Sequence, residues 1–323
     1  MKYRRDRVVY RSLACLIVLV LVLGITGCRN SMKTDTKIVK TNEQGGSFPL
    51  TITDDMGRQV SLPAEPLRIV SLAPSNTEIL FFLGLGSRVV GNTTYCDYPE
   101  EAKNITKIGG FMDPSLEKIV ALKPDLVLAT DIHQSFIKSL EDAGLKVLVL
   151  NPNTLEEIFN SIQLVGKATG VENRAVDLTQ GLNDRVKTVN QKVAQIPDDQ
   201  RPTVFYEMWY EPLMSIGKDN LIGHMIKLAG GTNITGDIAE QYPQISEELI
   251  IARSPQVMFN SYGHENQEIS PAQIAARRGW QNVAFVKTNR IYTIDSDLMT
   301  IPGPRIVEGL EKMAVCLYPE LFK

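Results

Sequence analysis

Two aromatic residues and two carboxylates recur in this chain at one fixed spacing. Phe111 and Tyr242 lie 131 residues apart, and so do Glu117 and Glu248. The pairs belong to a longer echo: Ser115-Leu-Glu-Lys-Ile-Val-Ala-Leu-Lys-Pro124-Asp-Leu-Val-Leu128 aligns without gaps on Ser246-Glu-Glu-Leu-Ile-Ile-Ala-Arg-Ser-Pro255-Gln-Val-Met-Phe259. Rings offer broad apolar faces to a flat ligand, and carboxylates offer acceptors to arginine. Either glutamate alone is explained by the helix dipole, which favours acid in a first turn. A repeated set points instead to duplication, with two similar lobes facing across a cleft where a small molecule binds. Phe111 and Tyr242 are then expected in loops on opposite sides of that cleft.

Residue patterns for catalysis are lacking. There is no GxSxG, HExxH or Walker A motif. His264-Glu265-Asn266-Gln267-Glu268 starts like a zinc motif but has no second histidine. Gly84-Leu85-Gly86 follows a helical stretch rather than a strand, which argues against a dinucleotide turn. Three histidines in all and no CxxC pair argue against a zinc site.

The elements that position these residues alternate. After a hairpin over 50–62, short apolar strands are expected at 68–72, 88–91, 126–128 and 147–150, then at 204–206, 257–259 and 291–294. Helices are expected between them, with capping boxes at Ser75-Asn76-Thr77-Glu78 and Thr154-Leu155-Glu156-Glu157. Such alternation indicates an α/β fold of parallel sheets covered on both faces. Val171, Ala175, Leu178, Leu182, Val186, Val189, Val193 and Ile196 mark one long amphipathic helix. At 1.5 Å per residue it would reach roughly 38 Å, enough to brace two lobes.

The N-terminus sets the compartment. Lys2, Arg4, Arg5, Arg7 and Arg11 precede an apolar run from Leu13 to Ile25, and the stretch ends at Ile25-Thr26-Gly27-Cys28. This reads as a secretory signal, too short for a comfortable membrane span. Its end resembles a lipobox, which implies acylation of Cys28 and a lipid anchor. Without residues 1–27 the chain keeps 29 basic and 36 acidic side chains, a net charge of −7 that argues against nucleic acid as a partner. Only Cys96 and Cys316 then remain, expected in different lobes and unbridged. The expected organisation is a signal over 1–28, a tether over 29–49, an α/β lobe over 50–170, the linking helix over 171–197 and a second α/β lobe over 198–323.

Five motifs together resemble the periplasmic binding proteins of ABC importers for vitamin B12, and more broadly those for siderophores and haem. They are Arg68-Ile-Val-Ser-Leu-Ala-Pro-Ser-Asn-Thr-Glu78, Thr94-Tyr-Cys-Asp-Tyr-Pro99, Leu116-Glu-Lys-Ile-Val-Ala-Leu-Lys-Pro-Asp125, Ala252-Arg-Ser-Pro255 and Pro304-Arg305. The resemblance implies two α/β lobes joined by one long helix, and no catalysis. It implies a corrinoid ligand stacked on Tyr95, with Phe111, Trp209 and Tyr242 as further aromatic contacts and a loop Asp297-Leu298-Met299-Thr300-Ile301 touching the ligand. It also implies that Glu117 and Glu248 dock on arginines of a dimeric permease served by its ATPase, and that the protein acts as a monomer. Phe111 and Tyr242 stand where close B12 relatives have tryptophan, and loop 297–301 is more aliphatic than theirs, so haem or a ferric siderophore stays open as the alternative. Arg253 and Arg305 are candidates for an anionic siderophore, although both fall at helix ends.

Overall fold

The computed structural model describes residues 48–261 and 269–323. The signal, Cys28, most of the tether and His264-Glu265 lie outside the described residues. Strands β1 (Leu50–Thr53) and β2 (Gln59–Leu62) pair antiparallel, with Leu50 opposite Leu62. Their alternation turns Ile52, Val60 and Leu62 inward, while the hydroxyls of Thr51 and Ser61 meet 3.0 Å apart on the exposed side.

Two four-stranded sheets follow, and every pairing in them is parallel. The first contains β3 (Ile69–Ser71), β4 (Val89–Asn92), β5 (Leu126–Ala129) and β6 (Val147–Val149), in the order β4-β3-β5-β6. The second contains β7 (Thr203–Glu207), β8 (Thr232–Asn233), β9 (Val257–Asn260) and β10 (Ile291–Thr293), in the order β8-β7-β9-β10. Numbered within its own lobe, each sheet therefore runs second, first, third, fourth. Strand β8 was not expected, because two polar residues carry no periodicity.

The echo lies at one place in this shared topology. The helix Leu116–Ala121 and the helix Glu247–Arg253 each precede the third strand of their sheet. Ser115 and Ser246 cap them, their hydroxyls accepting from the N–H of Lys118 and of Leu249. Each unit then turns through a left-handed, non-glycine residue before its proline: Lys123 at φ 47° and Ser254 at φ 38°. An L side chain is disfavoured in that region, so its recurrence at the same spacing supports duplication.

The long helix spans Glu172–Val193, about 33 Å at the standard rise. Its stripe of Ala175, Leu182, Val189 and Val193 joins a single apolar core that contains Leu128 and Leu148 from the first sheet and Val204 and Phe259 from the second. Each sheet packs its opposite face separately, around Val70, Val127 and Val149 in one case and Phe205, Met258 and Trp280 in the other. Arg185 of the long helix donates to both carboxylate oxygens of Glu311 in the last helix, Ile306–Leu317, at 2.9 and 2.7 Å. The helix thus braces both lobes. Cys96 and Cys316 are both free thiols.

Candidate functional site

In an open parallel sheet, ligands are met at the C-terminal ends of the strands, where the strand order reverses. Tyr95 follows β4 there and is 65% exposed. The N–H of Thr94 donates to the carbonyl of Gly109 at 2.9 Å, tying the Tyr95 loop to the loop that carries Phe111. Phe111 is half-buried and edge-on to His133, with ring centroids 5.4 Å apart. His133 also secures this loop's backbone. Its Nδ1 faces the N–H of Thr130 at 3.1 Å, so Nδ1 accepts and Nε2 donates to the Phe111 carbonyl at 2.9 Å. Burial pushes the His133 imidazole down, which favours this neutral form.

The second lobe repeats the arrangement. Trp209 follows β7, is 44% exposed, and donates from its indole to the carbonyl of Glu211 at 2.9 Å. Tyr242 follows β8 and is 50% exposed. Met214 bridges the two loops, pairing with Trp209 on one side and Gln244 on the other. Phe111 and Tyr242 therefore hold the same topological position, after the second strand of each sheet. Four large rings project from loops at the C-terminal strand ends, three of them substantially exposed. A depression of about 520 Å³ lined by Arg185, Glu311 and Cys316 beside the long helix shares no residue with these loops.

The segment expected as a ligand-touching loop folds differently. Asp297–Thr300 forms one helical turn, and Leu298 and Met299 are 4% and 0% exposed in the shared core. Both side chains pack in that core, which leaves Asp297, Thr300 and Ile301 as the more accessible members of the segment. The reason is close approach: a Cβ on Gly309 would fall 2.2 Å from the Leu298 carbonyl, so the bare glycine lets the last helix press this turn inward. Asp297 and Ile301 stay half-buried and Thr300 is exposed.

A second correction concerns Glu78. The expected capping box at Ser75–Glu78 does not form, because the helix starts two residues earlier, at Pro74, with Ala73 at its cap. Proline suits a first helical position, since its missing N–H would be unpaired there anyway. Glu78 is consequently interior, 1% exposed, and its Oε1 accepts from Nε and Nη2 of Arg305 at 2.9 and 2.6 Å. The pair joins the two lobes over 227 residues of chain. Arg305 also lies 3.6 Å from Asp297 and rests 3.8 Å above the ring of Tyr98, which stacks on Phe82. Arg305 therefore does more than mark a helix start, whereas Arg253 pairs locally with Asp237 at 2.7 and 2.9 Å.

Burial lifts the Glu78 carboxyl to about 7, against the pull of Arg305, and the negative charges of Asp297 and Asp97 add to the rise. Between the ordinary value of 4.5 and about 7, the folded chain therefore holds a proton here that the unfolded chain has released. Stability from this group should rise as pH falls through about 7 and level off below 4.5. Urea unfolding at pH 8 and pH 5.5 checks this, and Glu78→Gln should remove that component of the pH dependence.

Glu117 and Glu248 are both exposed in the first turns of the two echoed helices. Hydrogen bonds from its own backbone N–H and from the Ser246 hydroxyl hold the Glu248 carboxyl below the usual carboxylate range. The roles of Tyr98 and His133 and the pairing of Glu78 with Arg305 were missed, because Tyr98–Arg305, His133–Phe111 and Glu78–Arg305 join residues distant in sequence and follow no period.

Comparison with known proteins matches this architecture. The periplasmic binding protein family model covers residues 69–298. An uncharacterized ABC transporter substrate-binding lipoprotein, YvrC, of Bacillus subtilis (strain 168) is 36% identical over 312 residues, covering 95% of this chain and 96% of that protein. The crystal structure of the periplasmic vitamin B12 binding protein BtuF of Vibrio cholerae superimposes with a TM-score of 0.67 at 26% identity, covering 79% of this chain and 97% of that one. A possible iron-binding (periplasmic solute-binding) protein from Staphylococcus epidermidis ATCC 12228 gives a TM-score of 0.70 at 31% identity, covering 79% of this chain and all of that one. Paired parallel sheets, a bracing helix and aromatic loops at the strand ends thus coincide with a family match over most of the folded chain, which belongs to the periplasmic binding proteins, the extracytoplasmic, non-enzymatic substrate-binding components of ABC transporters.

Proposed function

We propose that this chain captures a corrinoid between its two lobes and delivers it to an ABC permease driven by its ATPase, held to the membrane as a monomer by lipid on Cys28. The carrying observation is the set of Tyr95, Phe111, Trp209 and Tyr242 on loops at the C-terminal ends of both sheets. Exposed large rings cost solubility and contribute nothing to a core, so their clustering argues for a ligand with a broad apolar face. Asp297, 3.6 Å from Arg305, and Thr300 supply polar groups for such a ligand, and Ile301 an apolar one. The B12-binding relative supports the corrinoid reading, and the lipoprotein YvrC supports the anchor. Haem or a ferric siderophore is the alternative cargo, with the Tyr95 or Tyr242 phenol available as an iron ligand.

The test is titration of the chain lacking residues 1–28 with cobalamin, cobinamide, haemin and a ferric siderophore, followed by calorimetry and absorbance. Tight binding of cobalamin or cobinamide is expected, and Tyr95→Ala should weaken it by roughly tenfold or more without changing the melting temperature. Binding of the ferric siderophore alone would overturn the corrinoid reading.

A further inference from the structure

Arg305, at the start of the last helix, contacts Glu78 and Tyr98 of the first lobe and is only 9% exposed. One guanidinium there faces two carboxylates, Glu78 through two N–H donors and Asp297 at 3.6 Å, with the Tyr98 ring against its face. Asp97 adds a further negative charge nearby. Lys107, another cation of the Tyr95 loop region, is turned onto the carbonyls of Cys96 and Ala102 and the side chain of Asn92, at 2.9, 3.1 and 2.9 Å. The surroundings of the aromatic loops therefore carry a buried cation that is already more than neutralised. The second oxygen of Glu78, Oε2, is buried with no hydrogen-bond partner. It faces Gly303, where a Cβ would lie 2.9 Å from it.

We propose that Glu78 sets the charge selectivity of the cleft: by holding Arg305 in a cross-lobe pair it makes the site take a ring with a neutral, amide-type rim over the same ring bearing carboxylates. The proposal deepens, and rests on, the reading of the cleft as a site for a broad ring. Glu78 already holds Nε and Nη2 of Arg305, so an acidic ligand that takes this edge of the guanidinium displaces Glu78 and strands a carboxylate in a buried setting. An amide rim carries no charge to compete for Arg305 and needs no such displacement.

Two matched pairs of ligands test this at pH 8, where Glu78 is ionised. One pair is cyanocobalamin and its monocarboxylic acid, made by hydrolysing a single rim amide. The other is haemin dimethyl ester and haemin. The unmodified protein should prefer the neutral member of whichever pair it binds. Glu78→Gln keeps an acceptor toward Arg305 but removes the charge. It should shift the preference toward the acid by roughly tenfold or more, with affinity for the neutral member changed by less than about threefold. Adding Arg305→Met to that variant should reverse the shift.

An unchanged preference in Glu78→Gln overturns the proposal, as does failure of all four rings to bind. Binding of the haem pair alone removes the corrinoid reading yet still measures the charge effect. Should Glu78→Gln fail to fold, the unmodified protein provides the same measurement between pH 8 and pH 6. Protonation of Glu78, faced by Arg305, Asp297, Asp97 and Tyr98, should move the preference toward the acid over that range, and a constant preference overturns the proposal.

Discussion

Replacing Glu117 and Glu248 together by alanine is expected to abolish uptake through the permease while leaving ligand affinity unchanged. The two carboxylates are exposed, 131 residues apart, and occupy the same turn of the same helix in each lobe. A pair related in this way suits a dimeric permease that presents two equivalent basic pockets. Charge-assisted contacts of that kind are strong, and truncating one partner of a desolvated pair costs about 2–5 kcal/mol. Losing both should therefore reduce docking by several orders of magnitude, and each single variant should fall between. The folded chain should hardly notice, because the caps at Ser115 and Ser246 remain and surface changes stay within about 0.5 kcal/mol. Cellular uptake of labelled ligand, alongside calorimetric affinity of the purified variant, makes the comparison. Lost affinity, or uptake that persists, would contradict the docking role.

The two tryptophans should behave in opposite ways. Trp280 is fully buried, edge-on to Phe205 and Phe285 with centroids 6.2 and 5.7 Å away, and Arg277 lies 4.7 Å above its ring. Trp280→Ala is expected to destabilise the fold by about 3–5 kcal/mol, the usual cost of emptying so large a core position. Ligand affinity measured on the fraction still folded should be nearly unchanged. Trp209→Ala, by contrast, removes a ring that is 44% exposed and should alter stability by less than about 1 kcal/mol while weakening ligand binding. Urea midpoints at constant slope separate the two. A small effect at Trp280 would mean that the core collapses around the vacancy.

Much of the architecture was legible because it rests on local periodicity. Ile69-Val70-Ser71 and Leu126–Ala129 are buried along their whole length, the second as an uninterrupted apolar run and the first broken only by the small Ser71. The stripe from Val171 to Val193 keeps its spacing, since a single helix face must meet one core. The echo between Ser115 and Ser246 survives as paired caps and paired left-handed turns. Reading failed where a local rule met a distant partner. Ser75-Asn76-Thr77-Glu78 has the composition of a capping box, yet Pro74 starts the helix early and Arg305 claims the carboxylate. Leu298 and Met299 looked like loop residues, yet the bare Gly309 draws their turn into the core.

The residues by themselves thus determined the α/β alternation, the bracing helix, the duplication and the paired positions of Phe111 with Tyr242 and Glu117 with Glu248. Each follows from spacing along the chain, which a repeating backbone geometry converts directly into a face or a turn. Only the tertiary structure decided which charges and rings are buried and which charges pair across the lobes. Glu78 and Arg305 meet across 227 residues, and Trp280 goes inside while Trp209 stays out. Burial and pairing of that kind depend on how the two sheets and the helices around them pack, and no period in the chain records it.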